Sequence, residues 1–387
     1  MKLFRKTLGT VVFAIAAATA NAQTIRIADN NPVAPSGPNI FTGANALQNA
    51  INAAAAGDVV YIVPSITSYG SATVGKGISI KGAGFNISEL GPRTSKLTNL
   101  TIMNSTDGTE NVSGLVLSGF EFTNLTFVQG IGGSNFDNIL AENITGSFVY
   151  HTNCLYPTNN LTIRNSYIYQ ISLGHCSAIG GVKVYRNIIS GAIDVRNSGD
   201  VLISNNILVA YGPSLSATSC VNLRVEHNIF SGNIASGAAY SFSVMTNALV
   251  TNNIFYSKFP IIYGTGTFHS NTFSNNLVLD AFTFPPAATG GGANSGVNNI
   301  TGTGPLFTSA AVGSDFNPLA DYTLQTGSPC IAAATTGDNI GPSGGLYPWT
   351  GNLSLSPANL PIVTVFGTPG VVPQNQPLKS NIKARSY

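Results

Sequence analysis

The stretch Val182-Lys-Val184-Tyr-Arg-Asn187-Ile-Ile189 carries the pattern that decides the fold, apolar-x-apolar-x-polar-Asn-x-apolar. The chain repeats it at residues 201–208, 223–230 and 248–255, more weakly at 267–273, and at 161–168 with serine in the asparagine position. The repeated asparagines are separated by steps of 19, 22, 25 and 18 residues: Asn187, Asn206, Asn228, Asn253 and Asn271. A step this short excludes a βαβ unit of about 30 residues and indicates one coil of a solenoid.

Stacked β-strands explain why the pattern repeats. Side chains alternate between the two faces of a strand, so Val184, Ile203, Val225 and Val250 share one face. Parallel stacking would bring them about 4.8 Å apart and form a continuous apolar interior. The asparagines follow each strand at a bend, where we expect left-handed backbone angles and amide hydrogen bonds from coil to coil. The sequence therefore predicts an all-β fold, a right-handed parallel β-helix of about nine coils.

The two ends of such a solenoid need caps, because an open coil exposes its apolar core and strand edges. Residues 43–54 have helical spacing and predict a short N-terminal capping helix. The repeat fades in the Pro- and Gly-rich residues 282–304. We therefore divide the chain after the signal sequence into a capped β-helix, 23–304, and a closing segment with a C-terminal β tail of two strands, 305–387.

The order of helix, Gly57-Asp58, strand and Ile80-Lys-Gly-Ala-Gly84 resembles the start of right-handed parallel β-helix proteins of the pectin-lyase-like class. Residues 304–307, 321–329 and 337–341 are similar to the closing segment of exported bacterial β-helix repeat proteins. The resemblance covers most of residues 24–341. It implies the fold and leaves the activity open, because this fold supports lyases, hydrolases and adhesins.

The first 22 residues have the three parts of a secretory signal. A basic start (Lys2, Arg5 and Lys6) precedes an apolar run over 8–18, and Ala20-Asn21-Ala22 provides a cleavage site. The apolar run is too short to cross a bilayer comfortably, so no membrane span is predicted. We expect a secreted protein, extracellular or on the cell surface, whose mature chain begins at Gln23.

The net charge of the chain indicates which classes of partner it can bind. The chain has 17 Lys and Arg against 15 Asp and Glu, and loss of the three basic signal residues leaves a net charge of −1. This gives no electrostatic basis for nucleic-acid binding, and we predict no nucleic-acid partner.

Cys154 and Cys176 lie one coil apart, which is compatible with either a disulfide or a buried thiol stack. Cys220 is offset from their column, and Cys330 belongs to the closing segment.

A catalytic set is hard to find. Pectate-lyase-like activity implies clustered acidic Ca²⁺ ligands with a basic side chain, so Ca²⁺ is expected only if the protein is a lyase. The best candidates are Asp194 and Arg196 with Lys183, although an ordinary surface ion pair explains Asp194 and Arg196 better. Glycoside hydrolysis needs two carboxylates that flank the bond, and the coils lack that pair. We predict no metal site and no cofactor.

The outward strand positions form two columns that could contact a sugar chain. One column is Thr162, Lys183, Leu202, Arg224 and Leu249, and the other is Arg164, Tyr185, Ser204, Glu226, Thr251 and His269. Arg164, Tyr185, Arg224 and Glu226 are the candidate binding residues, because aromatic stacking and charged hydrogen bonds suit sugars. The other interpretation is a solvated sheet face with cross-strand pairs. The sequence favours a non-catalytic protein that contacts polysaccharide; the alternative is a polysaccharide lyase or glycoside hydrolase with a divergent site.

Overall fold

The computed structural model describes residues 23–84, 93–104, 111–128, 136–152, 158–174, 179–217, 219–232, 240–310, 316–317 and 320–349, and the backbone of Ile362–Gly367 and Asn381–Arg385. The predicted signal sequence, 1–22, and the Cys154 and Cys176 pair lie outside these residues. The fold prediction is confirmed: the chain is an all-β parallel β-helix of about nine turns with one helix near its N-terminus.

A first sheet of 13 short strands runs along the solenoid, and its strands pair in parallel. In spatial order the strands are Ile40–Thr42, Ile25–Asp29, Val59–Ile62, Ser79–Gly82, Val116–Ser118, Leu140–Glu142, Thr162–Arg164, Lys183–Tyr185, Leu202–Ser204, Arg224–Glu226, Leu249–Thr251, Thr272–Ser274 and Ser295–Val297.

The second sheet starts with long strands and then divides into two branches. Its undivided part comprises Ser71–Val74, Asn99–Met103, Glu121–Val128, Thr145–Thr152 and Tyr167–Ser172. One branch continues through Ile188–Ile189, Ile207–Leu208, Ile229–Phe230, Ile254–Phe255, Leu277–Val278 and Ile300–Thr301. The other continues through Ile193–Asp194, Leu215–Ala217 and Tyr240–Thr246 to Phe259–Ile262 and Phe268–His269.

A third, smaller sheet completes the cross-section of the middle coils. Its strands are Phe136–Asp137, Thr158–Asn159, Ile179–Gly180 and Ser198–Gly199. The C-terminal strands Ile362–Gly367 and Asn381–Arg385 pair with each other in an antiparallel hairpin, as the predicted two-stranded tail requires.

The N-terminal helix covers the first coils. It spans Ala46–Ala53, within the predicted segment, and buries Ala46, Leu47, Ala50 and Ile51 on one side. This stripe covers apolar surface that would face water at an uncapped end of the solenoid.

The apolar column predicted from the repeat lies in the interior. Val184, Ile203, Val225 and Val250 are in register and have no exposed surface. Phe230 and Phe255 stack in the adjoining column with ring centroids 4.7 Å apart. Each such side chain stabilises the fold by about 1.5–3 kcal/mol through removal from water.

A row of asparagines runs beside this core. One of the asparagines predicted from the repeat does not belong to it. From Asn206 onward, the Oδ1 atom of each asparagine accepts hydrogen bonds from the backbone N–H and the Nδ2 group of the asparagine one coil earlier. The row is Asn187, Asn206, Asn228, Asn253, Asn276 and Asn299. Asn271 was expected in this row and is not part of it; it donates to Asn294 instead.

The bend is also built differently from the prediction. The left-handed residue is the one that precedes the row: Arg186, Asn205, His227, Asn252 and Asn275 all have φ values between 53° and 60°. The asparagines of the row itself point inward because their amides bind backbone carbonyls of the previous coil, such as that of Ile203. The outward columns keep the predicted register, except that Ser274 stands where His269 was expected.

Candidate functional site

The closing segment packs on the outside of the β-helix. An outward column of the second sheet, formed by Ile188, Ile207, Ile229, Ile254 and Leu277, is buried. The side chains that cover this column come from the closing segment and include Phe307, Tyr322, Cys330, Ile340 and Trp349. This second apolar cluster holds the described part of the closing segment against the second sheet.

Polar side chains of the bends hold the same segment. Asn205 donates to the carbonyls of Pro342 (3.0 Å) and Gly344 (2.6 Å). Asn252 accepts from the backbone N–H of Thr335 at 2.9 Å and donates to its hydroxyl at 3.0 Å. Asn205 and Asn252 were not predicted from the sequence as functional residues, although the doublets Asn205-Asn206 and Asn252-Asn253 signal that two asparagines per bend have different roles.

A pocket of about 660 Å³ opens where the closing segment meets the first sheet. Most of its lining residues have polar side chains, and they come from both sides. The lining residues are Arg224, Glu226, His227, Leu249, Thr251, Asn252 and Ser274 from the coils, and Thr335, Thr336, Asp338, Gly345 and Leu346 from the closing segment.

Two of the four predicted binding residues lie in this pocket. Arg224 and Glu226 point outward from one strand, and Arg224 Nη2 donates to Glu226 Oε1 at 2.9 Å. The arginine side chain is 48% exposed, whereas that of the glutamate is 15% exposed. The guanidinium group of Arg224 therefore keeps N–H donors available for a ligand, while the carboxylate of Glu226 fixes the orientation of that guanidinium group.

Asp338 provides the second carboxylate of the pocket. Its Oδ1 accepts from the Thr336 hydroxyl at 2.6 Å, and its Oδ2 accepts from the backbone N–H of Gly345. Burial opposes ionisation of Asp338, but these hydrogen bonds outweigh it and lower its pKa. Asp338 is accordingly an ionised acceptor at neutral pH.

His227 is buried and lines the same pocket as the two carboxylates. Burial lowers its pKa, although Asp338 and Glu226 act in the opposite direction. Nδ1 lies 3.3 Å from the carbonyl of Gly341, and Nε2 lies 3.1 Å from the Asn252 amide nitrogen. A neutral imidazole that donates through Nδ1 and accepts through Nε2 satisfies both contacts.

The other two predicted binding residues lie in the same outward column as Glu226, Tyr185 two coils away and Arg164 three coils away. Arg164 donates to Glu142 at 2.8 Å and to the Tyr185 hydroxyl at 3.1 Å. The Tyr185 ring is buried under Tyr347 of the closing segment, with centroids 3.9 Å apart. Tyr185 therefore presents no open ring face on the outside of the sheet.

The structure divides the predicted catalytic residues between two sheets. Asp194 lies on the second sheet, where its Oδ1 accepts from Arg196 Nε at 2.8 Å. Lys183 lies on the first sheet, in register with Thr162 and Leu202. Asp200 lies in an exposed turn and accepts from Asn222 at 2.8 Å. Asp194, Asp200 and Glu226 thus do not share one groove.

Within the described ranges, no group of three His, Cys, Asp or Glu side chains is placed to hold a metal ion. The acidic residues in this part of the chain thus do not form the clustered Ca²⁺ ligands that a lyase would need. The described residues also contain no helix with the length and hydropathy required to cross a membrane.

The two cysteines that the structure describes are both buried. Cys220 Sγ lies 2.9 Å from the carbonyl oxygen of Val195. Cys330 packs in the apolar cluster beneath the closing segment, where burial raises the pKa of its thiol to about 12.

Comparison with known proteins gives no assignment: no protein-family model matches the chain, and no curated protein matches it.

Proposed function

We propose that this chain is a secreted, non-catalytic β-helix protein that contacts polysaccharide at the pocket between its first sheet and its closing segment. The observation that carries the proposal is the convergence of Arg224, Glu226, Thr251 and Asp338 around one opening of about 660 Å³. Carboxylates accept from sugar hydroxyls, and a guanidinium donates to them, so this set suits a polyhydroxylated ligand.

The pocket favours binding over bond cleavage. A glycoside hydrolase needs one protonated carboxyl group as its acid, which requires a raised pKa. The pKa of Asp338 is lowered instead, and Glu226 is held in an ion pair with Arg224. The alternative function, a polysaccharide lyase or hydrolase, would depend on the Asp194–Arg196 pair, and Lys183 on the other sheet does not assist that pair.

Two further parts of the proposal concern origin and location. The fold fits the pectin-lyase-like class, and the closing segment resembles that of exported bacterial β-helix proteins. The signal-like residues 1–22 support export and a place outside the cell or on its surface. Expression of the complete gene in a bacterium, followed by N-terminal mass analysis of the exported chain, tests this location; a retained residue 1 would contradict it.

Affinity electrophoresis through gels that contain soluble polysaccharides tests the pocket. The probes are polygalacturonate and hydroxyethylcellulose, each with and without Ca²⁺. We expect retardation of the unchanged protein by at least one probe and about tenfold weaker retardation of Arg224→Ala, since a charged hydrogen bond is lost. Lys81→Ala, which removes a cation from a distant coil of the same sheet, serves as the matched control and should behave as the unchanged protein.

The same polysaccharides, incubated with the protein and assayed for unsaturated products and new reducing ends, decide between binding and catalysis. Retardation without products supports the proposal. Product formation that is abolished by Arg196→Ala would establish the enzyme alternative. Absence of retardation by every probe would refute polysaccharide contact.

A further inference from the structure

A cluster of three aromatic side chains lies on the outer face of the second sheet. Phe148 and Tyr150 belong to the strand Thr145–Thr152, and Tyr169 belongs to Tyr167–Ser172. Val149 and His151, which alternate with the first two, are buried. Because side chains alternate along a strand, Phe148 and Tyr150 must point away from the core.

The three rings form one cluster. Phe148 and Tyr150 are nearly parallel, with centroids 5.2 Å apart and planes inclined by 9°. Tyr169 packs edge-on against Phe148 at 5.4 Å and 85°. Tyr169 is nevertheless 48% exposed. The cluster therefore keeps aromatic surface in contact with water.

Polar groups continue from the cluster along the axis of the solenoid. Tyr150 is in register with Ser172, and Ser172 with Asp194. The strand spacing places Tyr150 and Asp194 about 10 Å apart, two coils along one column. Asp194 holds Arg196 through Nε and Nη2, and the Arg196 side chain remains 41% exposed.

A glycine makes room for this ion pair. A Cβ atom added to Gly174 would lie 2.2 Å from Asp194 Oδ1, so no larger residue fits while the carboxylate is in place. The Asp194 carboxylate consequently rests against the backbone of the preceding coil, and the Arg196 guanidinium is fixed beside the column.

We propose that this outer face, formed by Phe148, Tyr150, Tyr169 and the Asp194–Arg196 pair, is a second binding surface and that its ligand is a neutral polysaccharide. This proposal depends on the proposed function only for the class of ligand, a polysaccharide. None of the residues of this surface lines the pocket. The C–H faces of pyranose rings pack on aromatic rings, while the ion pair donates to and accepts from hydroxyls.

Charge decides between neutral and acidic chains. Asp194 and Arg196 neutralise each other, and the neighbouring residues of the column, Thr126, Ser172 and Ser216, are uncharged. An acidic chain would find no net positive charge to compensate the loss of its hydration. A neutral chain loses no such hydration and gains the ring contacts.

Affinity electrophoresis of the full chain through hydroxyethylcellulose, with polygalacturonate as the acidic probe, tests the surface. We expect Tyr169→Ala and Tyr150→Ala each to weaken binding to hydroxyethylcellulose by about three- to tenfold, while Tyr169→Phe retains it. Tyr263→Ala is the matched control, since Tyr263 is also exposed and packs edge-on against Tyr240 at 5.4 Å and 77°. Circular dichroism verifies that every variant is folded.

The outcomes separate this surface from the pocket. Loss of binding in Tyr169→Ala, with Tyr263→Ala unchanged, supports the aromatic surface. Binding of hydroxyethylcellulose that depends on Arg224 and is unaffected by Tyr169→Ala overturns the surface and leaves the pocket in place. Equal losses in Tyr169→Ala and Tyr263→Ala, or binding of polygalacturonate alone, also overturn it.

Discussion

Replacing Asn228 with alanine interrupts the buried asparagine row at its centre. The change removes Oδ1, which accepts from the backbone N–H of Asn206 at 2.9 Å and from its side-chain amide at 3.0 Å. It also removes Nδ2, which donates to the carbonyl of Ile203 at 2.9 Å and to Asn253 Oδ1 at 3.0 Å. All these groups are buried, so water cannot replace the lost partners without opening the coil.

The cost follows from which groups lose their partners. The buried Asn206 backbone N–H loses the acceptor it has in the row, which costs about 1–3 kcal/mol. The remaining hydrogen bonds contribute about 1 kcal/mol each, but the Asn206 amide still donates to Val184 at 2.8 Å. The free energy of unfolding should therefore fall by about 4 kcal/mol, more than most single substitutions cost.

Urea denaturation followed by far-ultraviolet circular dichroism measures this change. Asn99→Ala is the matched control, because Asn99 also bonds an asparagine of the next coil, Asn124 at 2.7 Å, on the solvent side. Water replaces that bond, so the control should lose less than about 1 kcal/mol. The explanation fails if the urea midpoint of Asn228→Ala is no lower than that of Asn99→Ala.

Three further predictions concern buried groups. Burial lowers the pKa of Lys258 from 10.5 to about 8. Between these pH values the unfolded chain binds more protons than the folded chain, so the free energy of unfolding should rise with pH by on the order of 3 kcal/mol. Urea titrations at several pH values should show no such rise for Lys258→Met; the same rise in Lys258→Met and in the unchanged protein would contradict the assignment. Val225→Ala should lower the free energy of unfolding, measured by urea denaturation, by about 2 kcal/mol because it opens a cavity in the core column, whereas Lys183→Ala on the exposed face should change it little. Gly174→Ala should lower the thermal midpoint by displacing the Asp194 carboxylate, and adding Asp194→Ala should restore part of it; a purely additive double variant would exclude the contact.

The coil could be predicted from the sequence because the pattern that specifies it lies within short stretches of the chain. Alternation along each strand specified which residues face inward, and the spacing of the asparagines gave the approximate length of a coil. The weak copy at 267–273 misled because two different strands resemble each other locally. Phe268 belongs to the second sheet and Phe273 to the first, so the pattern alone could not place Asn271.

The candidate sites depended on contacts that no local pattern encodes. Arg224 and Glu226 were predicted from their outward positions, but the pocket around them needs Asp338, more than 100 residues later in the chain. Tyr185 was predicted to be available, and the closing segment buries it under Tyr347. The outer aromatic cluster was missed because Phe148 and Tyr150 lie in a coil where the asparagine repeat is absent.

By itself the sequence determined the solenoid, because side chains alternate with a period of two and a coil repeats near 22 residues. Only the tertiary structure decided which outward residues remain open to a ligand. That outcome depends on where the described part of the closing segment folds back. Apolar contacts of Trp349 and Ile340 with the isoleucine column determine this position. Burial of that column is non-directional and acts between distant parts of the chain, so it leaves no periodic signal in the sequence.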